Sequence, residues 1–233
     1  MTTEKNNSYE EQHHRMADMN SIVQKIKQTL LSDGMDTTEV DEAFAEAKLN
    51  DLTILTDLYG TFREGFVNDN DANLENLKKY SVPEGVVDFY RNFEPNSLPP
   101  LSGGVVLLGL EAIKGENSTA SPSMYLLKHG LLTFATTIGG HVIGMDLKDM
   151  QNNEPRVVIA DYSFCSYNED LQVVECVHVP DEVANYYSDD EPIVLSYDVI
   201  KECLPQVAAS FSTFLIKLAD EEFENIEREY LVG

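Results

Sequence analysis

Apolar residues recur at three- and four-residue steps near both ends of the chain and at two-residue steps in its middle. From Ser8 to Leu31 they fall at Met16, Met19, Ile22, Val23, Ile26, Leu30 and Leu31. This spacing predicts an amphipathic helix, with Ser8 as a cap and Asp33-Gly34 as the stop. A second helix is expected from Thr38, where Glu39, Asp41 and Glu42 suit the positive end of the helix dipole. A third is expected from Asp51 to Val67, closed by a break at Asn68–Asp71, and a short one begins at Leu74. Pro83 then opens PEGVVDFYRNF, a helix whose broad apolar face is Val86, Val87, Phe89, Tyr90 and Phe93.

The period then drops to two. Gly104–Leu110, Met124–Lys128, Arg156–Tyr162 and Leu171–Val179 read as strands, with Lys114–Ser123 as a polar loop. The centre is Leu131–Leu147, read as a β-hairpin turning at Gly139-Gly140. A two-residue loop sets Ile138 opposite His141, Thr136 opposite Ile143, Phe134 opposite Met145 and Leu132 opposite Leu147, all on one core face. The other face, pairing Thr137 with Val142, Ala135 with Gly144 and Thr133 with Asp146, is small or polar. After Ser196, a helix cap, the helical period returns through Val199, Ile200, Cys203, Leu204, Val207, Phe211, Phe214 and Leu218, kinked or split at Pro205. Asp220–Tyr230 continues as an acidic helical end. Helices, then strands, then helix argue an α+β fold, a central antiparallel sheet flanked by helices. Residues 1–70 form a helical N-terminal extension and 71–233 the main domain.

Charge narrows the function. Sixteen basic residues against forty-one acidic ones give a formal charge of −25, a field that repels nucleic acid and anionic lipid and attracts a basic protein. No apolar run is long enough for a transmembrane helix, and the polar start lacks a signal-peptide core. The three cysteines, Cys165, Cys176 and Cys203, contain no CxxC pair and read as buried or semi-buried thiols of a cytoplasmic protein. The Asn117-Ser-Thr sequon has no meaning without secretion. No nucleophile elbow, phosphate loop, HExxH or reactive-cysteine signature occurs, which argues against an enzyme. Asp189, Asp190 and Glu191 lack the spacing of a calcium loop, and Cys165, Cys176 and His178 that of a zinc site, so no cofactor is expected. His141, beside the hairpin glycines, is the residue to watch for chemistry.

Val157 to Ile200 holds ten acids, no lysine or arginine, and Tyr162, Phe164, Tyr167, Tyr186, Tyr187 and Tyr197. Acid with tyrosine suits a surface for a basic protein. The competing reading is solvated loops whose tyrosines belong to the core. Within this stretch Asp181, Glu182, Tyr186, Tyr187, Asp189, Asp190 and Glu191 are the candidate partner-binding residues.

Several of these pieces together resemble one family. The proline-led helix (Pro83, Glu84, Val87, Phe89, Tyr90), the FA…GG hairpin closing in Asp146-Leu147, the strand RVVIADY and the helix Val207–Leu218 are similar, in order and spacing, to the SMI1/KNR4 (SUKH) superfamily over about residues 71–219. That resemblance implies a non-enzymatic binding protein, either an immunity protein that neutralises a basic toxin such as a nuclease, or a regulatory or scaffold module. In the second case the helical N-terminal arm would make the contact.

Overall fold

The computed structural model describes residues 3–63, 74–187 and 191–231. The chain opens with the long helix α1 (Thr3–Ser32), which starts ahead of Ser8 and so contains it, followed by α2 (Thr37–Glu42). Asp36 caps α2 by accepting the Glu39 N–H, and Glu39 returns the bond to Asp36. β1 (Phe44–Ala45) leads into α3 (Thr53–Thr56) and α4 (Leu58–Phe62). The single helix expected from Asp51 is broken because Asp57 leaves helical geometry and turns its carboxylate onto the Gly60 N–H, 2.8 Å away. The far end of that expected helix and the Asn68–Asp71 break lie outside the described residues. A 3-10 turn (Leu74–Lys79) precedes α5 (Glu84–Phe93), which Pro83 begins, and β2 (Glu94–Pro95) pairs with β1.

Next come β3 (Val105–Leu107), α6 (Leu110–Thr119) and α7 (Ser123–Leu127). The strand expected to reach Leu110 is therefore short, the polar loop is α6, and MYLLK is helical. Leu110, Ile113 and Asn117 are the buried stripe of α6. Its polar composition hid that stripe, since one of the three buried positions is an asparagine. The Asn117 amide accepts the Thr133 N–H and donates to the Thr133 carbonyl, occupying the edge of the next strand where β3 has ended. Buried there, it is no glycan acceptor.

The sheet continues through β4 (Leu131–Thr137), β5 (Val142–Gln151) and β6 (Glu154–Ala160). The ribbon β7 (Cys165–Asn168) and β8 (Val173–Cys176), then α8 (Asp181–Ala184) and α9 (Tyr197–Cys203), lead to β9 (Gln206–Ala208), α10 (Phe211–Ala219) and α11 (Ile226–Tyr230). Strand order in the five-stranded sheet is β3-β4-β5-β6-β9, antiparallel throughout. Ser196 caps α9 as expected. The helical stretch expected to kink or split at Pro205 is split: α9 ends at Cys203 and α10 begins at Phe211, with Val207, expected as helical, in the edge strand β9 between them. The carbonyl of Pro205, two residues past the end of α9, accepts the Ile159 N–H at the sheet edge.

The central hairpin exists, with a different register. Thr136 pairs with Val142 and Ala135 with Ile143, while beyond a bulge at Phe134 the pairs are Thr133 with Gly144 and Leu132 with Met145. Gly140 takes φ +82° in the turn. The bulge swaps the alternation of β4, so Phe134 and Ala135 both join the main core. Ile138, expected in that core, is exposed at the tip.

Both faces of the sheet are covered. Leu132, Phe134, Ile143, Met145, Val157 and Ile159 meet α1, α5 and α10 in one apolar cluster that also takes in Val40, Leu55 and Phe62 of α2 to α4. The N-terminal helices therefore pack on the sheet domain. The opposite face carries Leu131, Val142, Val158 and Ala160 under α9 and the ribbon.

Candidate functional site

The ribbon β7–β8, α8 and α9 place the acid- and tyrosine-rich stretch on one side of the molecule. Its aromatic residues divide. Phe164 is buried, and Tyr197 donates its hydroxyl to Asp146 at 3.0 Å. Tyr162, Tyr167, Tyr186 and Tyr187 stand 58%, 49%, 82% and 40% exposed. For these four the core reading fails.

Asp181 and Glu182 lie exposed in the first turn of α8, which is pinned by the buried Val183. Tyr186 and Tyr187 follow directly on the turn that ends it, and Glu191 is exposed beyond. Asp189 and Asp190 lie outside the described residues.

The sequence did not single out the outward face of the ribbon. A bridge between Glu175 and Val194 adds a third short strand segment, and Val177 and Val194 are exposed beside Glu175. Leu171–Val179 was expected as one strand; it holds β8 and a turn, and β7 went unread. The faces of VVECVHV cannot be sorted without knowing which strands flank it.

Under the ribbon and α9 lies a polar network. Asp146, fully buried, accepts the Arg156 Nε at 3.0 Å, the Tyr197 hydroxyl, and the backbone N–H groups of Lys148 and Asp149. Arg156 Nη2 stands 3.0 Å from the same carboxylate, within ion-pair distance but without hydrogen-bond alignment. Lys148 Nζ sits 3.6 Å from the centre of the Tyr197 ring. Burial first, then the Asp146 charge, push the Tyr197 hydroxyl up, so it stays a donor. This network holds α9 to the sheet.

At the rim, His141 does not face Ile138. Its Nδ1 accepts the Tyr162 N–H at 3.3 Å and lies 3.3 Å from Asp161 Oδ2. Burial alone would raise the Asp161 carboxyl, but hydrogen bonds from the Ser163 hydroxyl and N–H, then the neighbouring histidines, hold it below the usual range. Ser163 Oγ also touches His178 Nδ1 at 2.9 Å. The order is Asp–Ser–His, with the carboxylate on the serine. Along this chain the carboxylate meets the serine and not His178, which is not the order of a hydrolase triad. Among the described residues no three His, Cys, Asp or Glu side chains converge as a metal site, and no helix is long and apolar enough to cross a membrane. The arrangement offers contact area and negative charge.

Comparison with known proteins gives one result. The family model described as SMI1 / KNR4 family (SUKH-1) matches residues 70–217, well over half of the chain. No curated protein and no solved structure matches.

Proposed function

The chain belongs to the SMI1/KNR4 family (SUKH-1), and on that premise we propose that it is a non-enzymatic immunity protein that neutralises a basic, nuclease-type toxin. The observation that carries this reading is the exposure of Tyr162, Tyr167, Tyr186 and Tyr187 in a stretch with no lysine or arginine from 157 to 200. Nuclease sites are basic because they hold phosphates. An acidic surface steers toward such a site, and tyrosines bury area there at low entropic cost. Asp181, Glu182, Tyr186, Tyr187, Asp189, Asp190 and Glu191 are the proposed contact residues, in a cytoplasmic protein without cofactor.

The alternative is a scaffold module engaging its partner through residues 1–70. Against it, the apolar faces of α2 to α4 are already buried in the shared core.

The test is binding to cationic toxin-like proteins encoded beside the gene, at low and high salt. The proposal expects fast association that slows as salt rises, protection of cells from the toxin, and loss of both with Glu182→Lys plus Glu191→Lys. Binding unaffected by those changes but lost on disrupting residues 8–63 favours the scaffold reading. Binding to no basic protein rejects the immunity reading.

A further inference from the structure

The chain's three cysteines are far apart in sequence and close in the fold. Cys165, Cys176 and Cys203 lie in one buried cluster with Val158, Phe164 and Ile200. Cys165 and Cys176 stand directly opposite each other on β7 and β8. Their backbone bonds show what kind of pair this is. The neighbouring Val177 N–H donates to the Phe164 carbonyl across the ribbon, at 2.8 Å. The Cys176 N–H turns the other way, to the Ile193 carbonyl, and the Cys165 carbonyl accepts from the Ser121 hydroxyl, away from β8. Cys165 and Cys176 are therefore a non-hydrogen-bonded pair, the closer of the two antiparallel pair types. There Cα atoms lie about 4.5 Å apart, inside the range of about 4.4–6.8 Å that a disulfide spans. Both side chains point into the same apolar layer, so no strand need rotate to bring the sulfurs together.

We propose that Cys165 and Cys176 are a redox modification site, joined across the β7–β8 ribbon by a hydroperoxide while Cys203 stays a thiol. One thiolate attacks the outer oxygen of the hydroperoxide. The O–O bond breaks, an alcohol leaves, and the sulfur becomes a sulfenic acid. The second sulfur displaces water from it as the S–S bond forms. The two thiols together give up two electrons and two protons, and the hydroperoxide ends as alcohol and water. Burial restrains the first step: it pushes the Cys165 thiol up, Cys176 to about 12 and Cys203 to about 11. Oxidation of the closed ribbon is accordingly slow and follows its opening. Once made, the bond closes the ribbon that carries Tyr167 and Glu175, and fixes the shape of that surface.

The experiment exposes the full native chain to tert-butyl hydroperoxide, blocks remaining thiols under denaturing conditions and maps the peptides by mass spectrometry. The expected product has lost two hydrogens, links the Cys165 and Cys176 peptides, and leaves Cys203 alkylated. Its melting midpoint rises by several degrees and returns on reduction. Cys203→Ser keeps the link and Cys176→Ser abolishes it. The wild-type peptide map decides the matter even where a variant folds poorly. A bond through Cys203, sulfinic acid at any of the three positions, or three free thiols after an exposure that oxidises a reference thiol peptide overturns the proposal.

Discussion

The two faces of the five-stranded sheet are both covered, by different chemistry. One face is apolar throughout. Phe89 packs edge-on against Phe211, which meets Phe134, which meets Phe214, with centroids 5.4 Å apart at each step. The other face mixes Leu131, Val142 and Val158 with Thr133, Asp146 and Arg156. An apolar layer tolerates exchange between similar shapes, because its attraction has no direction. A buried charge network has one arrangement that satisfies every group. The exposed tyrosines sit above the second face, so the surface proposed to meet a partner rests on the less forgiving side.

Large truncations test this difference most strongly. Phe134→Ala should cost about 3–5 kcal/mol through lost transfer energy and a cavity. Asp146→Ala should cost about 3 kcal/mol, because it takes from the buried Arg156 its fully buried partner and leaves only the Asp149 carboxylate, 3.5 Å from Nε. Denaturant titration will show both, and a second change separates them. Adding Arg156→Met to Asp146→Leu should recover most of the loss on the polar face. A single neighbouring substitution should recover little at Phe134. If Asp146→Ala is mild, Asp149 or water takes over Arg156 and the network contributes little to holding α9.

Asn117→Ala comes next. Its amide stands in for a neighbouring strand at Thr133, and removal leaves a buried N–H and carbonyl without partners. The expected loss is about 1–3 kcal/mol, with faster hydrogen exchange at Thr133 as the local sign. A loss near zero would mean that the edge of β4 is reached by solvent.

The sequence made the two faces unequally legible. The apolar face was largely readable: Phe89, Phe134, Met145, Phe211 and Phe214 all fall on predicted faces. The polar face was read only as small or polar, and Thr133, Gly144 and Asp146 carry no sign in the sequence that they are buried. Nothing local in the sequence shows that Tyr197, fifty residues on, covers Asp146. The hairpin itself was legible, but neither its longer loop, residues 138–141 in place of two glycines, nor its bulge was. Pairing tests assume strict alternation, and one extra residue at Phe134 lets Ala135 and Phe134 share a face. Short apolar runs failed for a related reason. MYLLK and the stretch around Val207 are buried on more than one side, so period does not tell helix from strand there. The candidate surface was legible as composition; which of its tyrosines are exposed depends on tertiary contacts.

A weaker effect links the hairpin tip to the end of the chain. Glu227 of α11 accepts the Gly139 N–H at 2.7 Å. Hydrogen bonds from the Thr137 side chain first, then from Gly139, hold its carboxyl below the ordinary value of 4.5. The folded pKa is lowered, so this contribution is complete above about pH 4.5 and lost as pH falls through the folded value. Exposure keeps it under about 1 kcal/mol. Protection of the Gly139 amide, its exchange rate measured against the intrinsic rate at each pH, should fall in that acid range. Glu227→Gln should remove the pH dependence.

The smallest effect concerns a polar atom buried in the apolar face. Tyr90 is fully buried on α5, and its hydroxyl has no hydrogen-bond partner among the described residues. Burial pushes the hydroxyl up, with the Glu94 charge adding to it, so the group stays neutral. Its ring meets Phe89 edge-on at 5.3 Å, a contact that phenylalanine keeps. Tyr90→Phe removes only the unpaired oxygen, and should leave stability unchanged or raise it by up to about 1 kcal/mol. Loss of a kilocalorie or more would show that the hydroxyl holds a buried water. The apolar face would then have a polar anchor of its own, and the contrast between the two faces would be one of degree.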